Sequence, residues 1–128
     1  MDKDKVLWEK AAEFHGHECG GLTIGYKAVL YAAELLGLTL TEEDQVFCVA
    51  ENNSCSVDAF RALLGCTQEN RNLVFNLTGK QAFTIDNQKT GESVRLILKD
   101  GPEGMTREES FGYFQSCEPK DMFTVEEL

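Results

Sequence analysis

Two histidines and a cysteine lie within five residues of the stretch FHGHECGG, as His15, His17 and Cys19. In an extended segment the spacing i, i+2, i+4 directs all three side chains to one side, where they can converge on one metal ion. Imidazole and thiolate are donors that suit zinc, with nickel, iron and copper as competitors. The alternative from spacing alone is that His15 caps the first helix, His17 is an exposed loop residue and Cys19 is a small buried side chain.

A further donor would favour the metal site, and Cys55 is the best candidate because it follows a predicted strand and precedes a predicted helix. Cys66 competes with it, but eleven residues of helix separate the two by roughly 16 Å, so one ion is not expected to bind both from one chain. Asp58 follows in the first helical turn, either as a capping residue or as a group that orients a ligand. His15 and Asp58 are also the candidate proton carriers.

The remaining candidates have weaker signals. Cys48 lies within a predicted strand and is expected in the core, and Cys117 is expected on the solvent side or at an interface. Five scattered cysteines without a paired C-x-x-C do not indicate a disulfide framework. Lys80 lacks the spacing of a phosphate loop. The segment ENNS, residues 51–54, either orients a ligand or simply forms a turn.

Apolar spacing and glycines predict the elements that position these residues. One helix covers about the first fifteen residues and ends at Gly16, and a second, apolar on most sides, begins near Leu22 and ends at Gly37. QVFCVAE predicts a strand with Val46, Cys48 and Ala50 on one face.

The second half of the chain predicts a helix, a hairpin and a further helix. VDAFRALLG is a short helix capped by Ser54 or Ser56, and residues 81–99 form a hairpin that turns at Gly91. TREESFGYFQS is helical with a threonine cap, and a short segment ends the chain. This order predicts an α+β fold, with helices packed on a small, mainly antiparallel sheet.

The composition restricts the possible partners. With 128 residues the chain has the size of one domain, and its formal charge of -10 opposes binding to nucleic acid and to anionic membranes. The sequence has neither an apolar run of membrane-spanning length nor a secretory signal. We therefore expect a cytoplasmic protein that interacts with neither nucleic acid nor membrane.

The blocks FHGHECGGLTIGYKAVLYAAELLG, ENNSCSVDAFRALLGCTQENRNLVFNLTGKQAFTI and GESVRLIL resemble the FmdE family, which takes its name from a component of molybdenum formylmethanofuran dehydrogenase. The resemblance implies an α+β core domain that forms an intertwined homodimer. Some members add a C-terminal zinc ribbon, whereas residues 1–128 are expected to be a single core domain without one. The family's usual Cys-Pro-Gly is Cys19-Gly20-Gly21 here, which removes no donor.

The resemblance also assigns positions to a site. His17, Cys19 and Cys55 match the positions expected to bind a metal, zinc or another transition metal such as nickel or iron. His15, Asp58, Cys66 and Lys80 match motif positions whose roles the resemblance does not fix. Membership does not imply a place in a dehydrogenase complex, and the chain shows no molybdopterin or iron–sulfur signature.

Three hypotheses for function follow. The first is a zinc-type site formed by His17, Cys19 and Cys55, with one position open for water or a small ligand, which is the arrangement of a catalytic site. The second is an accessory or metal-sensing protein whose site is closed by a fourth protein donor and whose acidic dimer surface binds a partner protein. The third is a metal-free thiol enzyme in which His17 activates Cys19.

Overall fold

The structure is a computed structural model that describes residues 3–16, 20–40, 45–67, 69–99, 104 and 106–127. Within these residues it contains five helices and five strands, and the fold class is α+β as predicted. In chain order the elements are α1 (Lys3–His15), α2 (Gly20–Leu36), β1 (Val46–Ala50), α3 (Ser56–Leu64), β2 (Leu73–Phe75), β3 (Ala82–Asn87), β4 (Glu92–Leu98), α4 (Arg107–Ser116), α5 (Pro119–Met122) and β5 (Phe123–Glu127).

The five strands form one sheet in the order β2-β1-β3-β4-β5. Only β1 and β2 pair in parallel, and the other three pairs are antiparallel, so the sheet is mainly antiparallel as expected. The predicted hairpin is β3–β4, and Gly91 in its turn has the positive φ of 80° that favours glycine. Sequence analysis did not identify β2, which has three residues, or β5.

The core lies between α2 and one face of the sheet. The buried residues of β1 alternate as predicted, with Val46, Cys48 and Ala50 in the interior. From α3, the ring of Phe60 packs on Phe83 of β3 with 4.8 Å between centroids. The helices therefore cover this face, and α3 is fixed against both α2 and the sheet.

The apolar surface of α2 is buried within the single chain. Its fully buried side chains lie at successive turns of the helix and include Leu22, Ala28, Val29 and Ala32. Because the chain covers these residues itself, the apolar content of α2 does not require a second copy. No helix in the described ranges is both long enough and apolar enough to cross a membrane.

The helix ends agree with the sequence, with one exception. Glycines follow α1, α2 and α3, and Thr106 caps α4 in a capping box with Glu109. The exception is α3, for which Ser54 or Ser56 was the predicted cap. Cys55 occupies the N-cap position and its side chain makes no capping hydrogen bond, whereas the hydroxyl of Ser56 is bonded to α2. The prediction was wrong because Ser56 serves a tertiary contact instead of a local one.

Candidate functional site

The first turn of α3 lies beside the beginning of α2. A Cβ atom at Gly25 would lie 2.0 Å from the carbonyl oxygen of Ser56, so only glycine allows the two helix backbones to approach so closely. The Ser56 hydroxyl donates a hydrogen bond of 2.8 Å to the carbonyl of Gly21. One turn earlier, a Cβ at Gly21 would lie 3.1 Å from the Cβ of Cys55. The start of α2 and Cys55 are therefore in direct contact.

The last residue of α1 reaches the same turn of α3. His15 Nδ1 donates to Asp58 Oδ2 over 2.7 Å, and Arg61 Nη1 donates to Asp58 Oδ1 over 2.8 Å. The side chains of His15 and Asp58 are only 11% and 22% exposed. Partial burial acts to raise the pKa of Asp58, but the hydrogen bonds from His15 and Arg61 outweigh it, so that this pKa lies below its ordinary value.

The interaction with Asp58 also fixes the state of the histidine ring. Because an ionised carboxylate only accepts hydrogen bonds, the proton of a neutral His15 resides on Nδ1 and the lone pair on Nε2. A carboxylate placed this way is the usual means of orienting an imidazole for metal binding or proton transfer. Asp58 is therefore not a capping residue of α3, because its two oxygens serve His15 and Arg61.

The described part of the site contains one of the three predicted metal ligands. Cys55 is half-buried at the start of α3. His17 and Cys19 fall outside the described residues. Among the residues that are described, no three histidine, cysteine, aspartate or glutamate side chains are placed to share a metal ion. The structure therefore brings together Cys55, His15 and Asp58 around one helical turn, and the ligand set of three stays a prediction.

The turn before Cys55 is built by Asn52. Its Nδ2 donates to the carbonyl of Lys80 over 2.9 Å and to Gln81 Oε1 over 3.2 Å, and its Oδ1 accepts from the backbone N–H of Ser54 over 3.1 Å. Asn52 thereby connects the end of β1 to the segment that leads into β3. Lys80 contributes its carbonyl to this network while the residue itself is exposed. Residues 51–54 therefore act here as the turn that positions Cys55.

Sequence analysis missed an ion pair beside this turn. Arg95 of β4 binds the buried carboxylate of Glu51 through two hydrogen bonds of 2.7 and 2.9 Å, and it also binds Glu126 of β5 over 2.9 Å. The hydrogen bonds from Arg95 lower the pKa of Glu51 below its ordinary value, assisted by Thr78. The charged Arg95 within an apolar strand was a signal, but its partner depends on strand order, which the sequence did not reveal.

The other cysteines lie away from the start of α3. Cys66 follows the opposite end of that helix and is buried beside Cys48, with 3.2 Å between the two sulfur atoms. Cys48 is in the core as predicted. Cys66 does not join Cys55, in agreement with the separation expected across the helix. Cys117, expected toward solvent or an interface, is half-buried, and its carbonyl accepts a hydrogen bond of 2.8 Å from Lys27.

Comparison with known proteins agrees with this architecture. The sequence pattern of a family described as "FmdE, Molybdenum formylmethanofuran dehydrogenase operon" matches residues 14–123. A relative from Archaeoglobus fulgidus, named "Probable S-adenosyl-L-methionine-binding protein", is 34% identical over 96 residues, which are 70% of this chain and 25% of that protein. The chain thus spans about a quarter of the length of this curated relative.

A solved structure extends the similarity to nearly the whole chain. The crystal structure of an FmdE-like protein of the tungsten formylmethanofuran dehydrogenase type, from Syntrophus aciditrophicus, is similar with a TM-score of 0.75 at 26% sequence identity. The match covers 98% of this chain and 71% of that chain. The match to the family pattern includes the end of α1, the start of α2 and all of α3, the three elements that form the candidate site.

Proposed function

This chain belongs to the FmdE family, and on that premise we propose that it binds one zinc-type transition-metal ion through His17, Cys19 and Cys55. The residue types fit the ion, because one imidazole and two thiolates form a borderline-soft donor set. Cys55 begins a helix of nine residues, and the positive end of the helix dipole favours its thiolate form.

One observation carries the proposal. His15 and Gly21 bracket residues 17–19 along the chain, and both contact the first turn of α3, His15 through Asp58 and Gly21 through Cys55. The chain enters and leaves the H-x-C segment beside the same cysteine. Two of the three proposed ligands thus lie in a segment whose flanking residues are fixed next to the third.

The described residues also support a role for the site in proton transfer. Asp58 orients the ring of His15 and keeps the proton on Nδ1, so that Nε2 can accept a proton from a ligand bound nearby. The ion would act as a Lewis acid and lower the pKa of bound water. Arg61 holds the second oxygen of Asp58, which keeps the carboxylate ionised and in place.

Elemental analysis of the chain purified without an affinity tag tests metal binding. We expect close to one metal ion per chain, and a strong loss of metal in His17→Ala, Cys19→Ala and Cys55→Ala. Cys48→Ala is the matched control, because it removes a thiol from the core beside Cys66, away from the start of α3. Full metal retention in Cys19→Ala would refute the ligand assignment.

X-ray absorption of the metal-loaded chain distinguishes the two metal-binding functions. Three protein donors and an exchangeable water support a site for a small ligand or for catalysis. Four protein donors support an accessory or metal-sensing role instead. If the purified chain contains no metal, loss of activity after alkylation of Cys19 supports the third hypothesis, the thiol enzyme.

A further inference from the structure

Two thiols that take no part in the proposed metal site face each other in the core. Cys48 lies in the middle of β1, and Cys66 follows Gly65, the residue that ends α3. Their sulfur atoms are 3.2 Å apart and share a hydrogen bond, and both residues are buried, at 2% and 0% exposure. Neither forms a disulfide. A fully buried pair of thiols in mutual contact is a different feature from isolated cysteines that fill space.

We propose that Cys48 and Cys66 are a site of reversible oxidation, where a small hydroperoxide closes an intramolecular disulfide between β1 and the end of α3. The sulfur atoms must approach by about 1.2 Å to reach the length of an S–S bond near 2.05 Å, a shift that side-chain torsions and small backbone adjustments can supply. The proposal does not depend on metal binding.

The reaction balances with one hydroperoxide, here hydrogen peroxide. One sulfur, as thiolate, attacks a peroxide oxygen and the O–O bond breaks; the sulfur becomes a sulfenic acid, and the departing hydroxide takes up the proton that the thiol released. The second sulfur then attacks the sulfenic sulfur, the S–O bond breaks, and water leaves with the second proton. Two S–H bonds are replaced by one S–S bond, and one peroxide is reduced to two water molecules.

The surroundings of the pair explain why the reduced form persists until an oxidant enters. The hydrogen bond with Cys66 and burial raise the pKa of Cys48 well above its ordinary value, so its reactive thiolate is scarce. The oxidant must be small, since both sulfurs lie inside the core between α3 and β1. Once the disulfide forms, it closes the chain between residues 48 and 66, a loop that contains all of α3.

The disulfide would change stability in a measurable way. A cross-link restricts the unfolded chain, so the folded state gains stability relative to it. The closed loop includes Cys55 and Asp58, but both lie at the opposite end of α3 from Cys66. We therefore expect the oxidised chain to unfold at a higher temperature than the reduced chain.

Treatment of the full wild-type chain with hydrogen peroxide, followed by unfolding, alkylation and mass spectrometry, tests the proposal. The reduced chain should take five alkyl labels, one for each cysteine, and the oxidised chain three. Peptide mapping should place the disulfide between residues 48 and 66. Dithiothreitol should restore five labels and return the unfolding temperature to that of the reduced chain.

The control variant is Cys117→Ala, which should keep the same two-label loss, whereas Cys48→Ala and Cys66→Ala should lose it. The wild-type result decides the question if either core variant fails to fold. Five labels retained under conditions that oxidise Cys117 would overturn the proposal. A disulfide that maps to Cys19 and Cys55, without one between residues 48 and 66, would overturn it as well.

Discussion

At the scale of single residues, a buried carboxylate holds the turn before Cys55 against the sheet. Glu51 accepts two hydrogen bonds from Arg95 and one of 3.0 Å from Thr78, and its backbone carbonyl accepts from the N–H groups of Thr78 and Gly79. Glu126 binds the same arginine from a half-exposed position, 49% accessible. The two glutamates therefore offer a matched pair that differs mainly in burial.

We expect Glu51→Gln to lower the free energy of unfolding by about 2 kcal/mol at neutral pH, because it replaces a charged, buried hydrogen-bond acceptor. Glu126→Gln should cost less than about 1 kcal/mol, as solvent screens an exposed pair. Denaturant unfolding of the two variants measures both values. Equal losses would show that burial does not set the strength of these interactions.

The pH dependence of the same pair has a definite sign. Because Arg95 lowers the pKa of Glu51 in the folded chain, the carboxylate contributes stability above its ordinary pKa of 4.5 and loses that contribution as the pH falls through the lowered value. The difference between wild type and Glu51→Gln should therefore shrink in acid. Unfolding curves measured from pH 7 downward test this, and a constant difference would contradict it.

Sequence reasoning at this scale identified Cys55 but not its neighbours. Cys55 was recognisable because a strand, a polar turn and a helix surround it in the sequence. The contact between His15 and Asp58 joins residues 43 positions apart, and that between Glu51 and Arg95 joins residues 44 apart. Such pairs depend on how α1 meets α3 and on the strand order β1-β3-β4, which local spacing does not encode.

At the scale of elements, the close contact of α2 and α3 depends on Gly25. Replacing Gly25 with alanine would force the new Cβ against the carbonyl of Ser56, since the two atoms would be only 2.0 Å apart. We expect Gly25→Ala to destabilise the chain by about 3 kcal/mol, the upper part of the range for overpacking. Thermal unfolding measures the change.

Gly112 provides the control within another helix. It lies in α4, and a Cβ there would meet no atom within 4 Å. Gly112→Ala should leave stability unchanged or raise it by up to about 1 kcal/mol, because alanine has the higher helix propensity. If both variants lose stability equally, the contact between α2 and α3 is not the cause.

The helix ends were predictable because glycine has a local conformational role, as at Gly37 and Gly65, where φ is 67° and 66°. The cap of α3 was not, because the Ser56 hydroxyl binds the carbonyl of Gly21 on another helix. Strand β2 was missed since three residues carry too little periodicity to separate a strand from a loop.

At the scale of the whole molecule, the homodimer and the single domain over residues 1–128 stay predictions. The apolar face of α2 lies within the chain and does not support dimerisation. Among the described residues, however, Phe14, Val74 and Leu77 are large apolar side chains that solvent reaches, with Leu77 68% exposed. A second copy could cover such groups.

If the chain is an intertwined homodimer, its unfolding is coupled to dissociation. The unfolding midpoint should then rise with protein concentration. Unfolding curves at several concentrations test this, together with the mass from light scattering. A monomeric mass at micromolar concentration would contradict the prediction.

The central claim is that His17, Cys19 and Cys55 share one metal ion, and calorimetric titration of the metal-free chain with zinc tests it most directly. We predict a single binding event near one ion per chain in the wild type, and its loss in Cys55→Ala, because that thiol lies beside the segment that carries the other two ligands. Cys48→Ala should titrate like the wild type. Weak, heterogeneous binding that Cys55→Ala leaves unchanged would contradict the account.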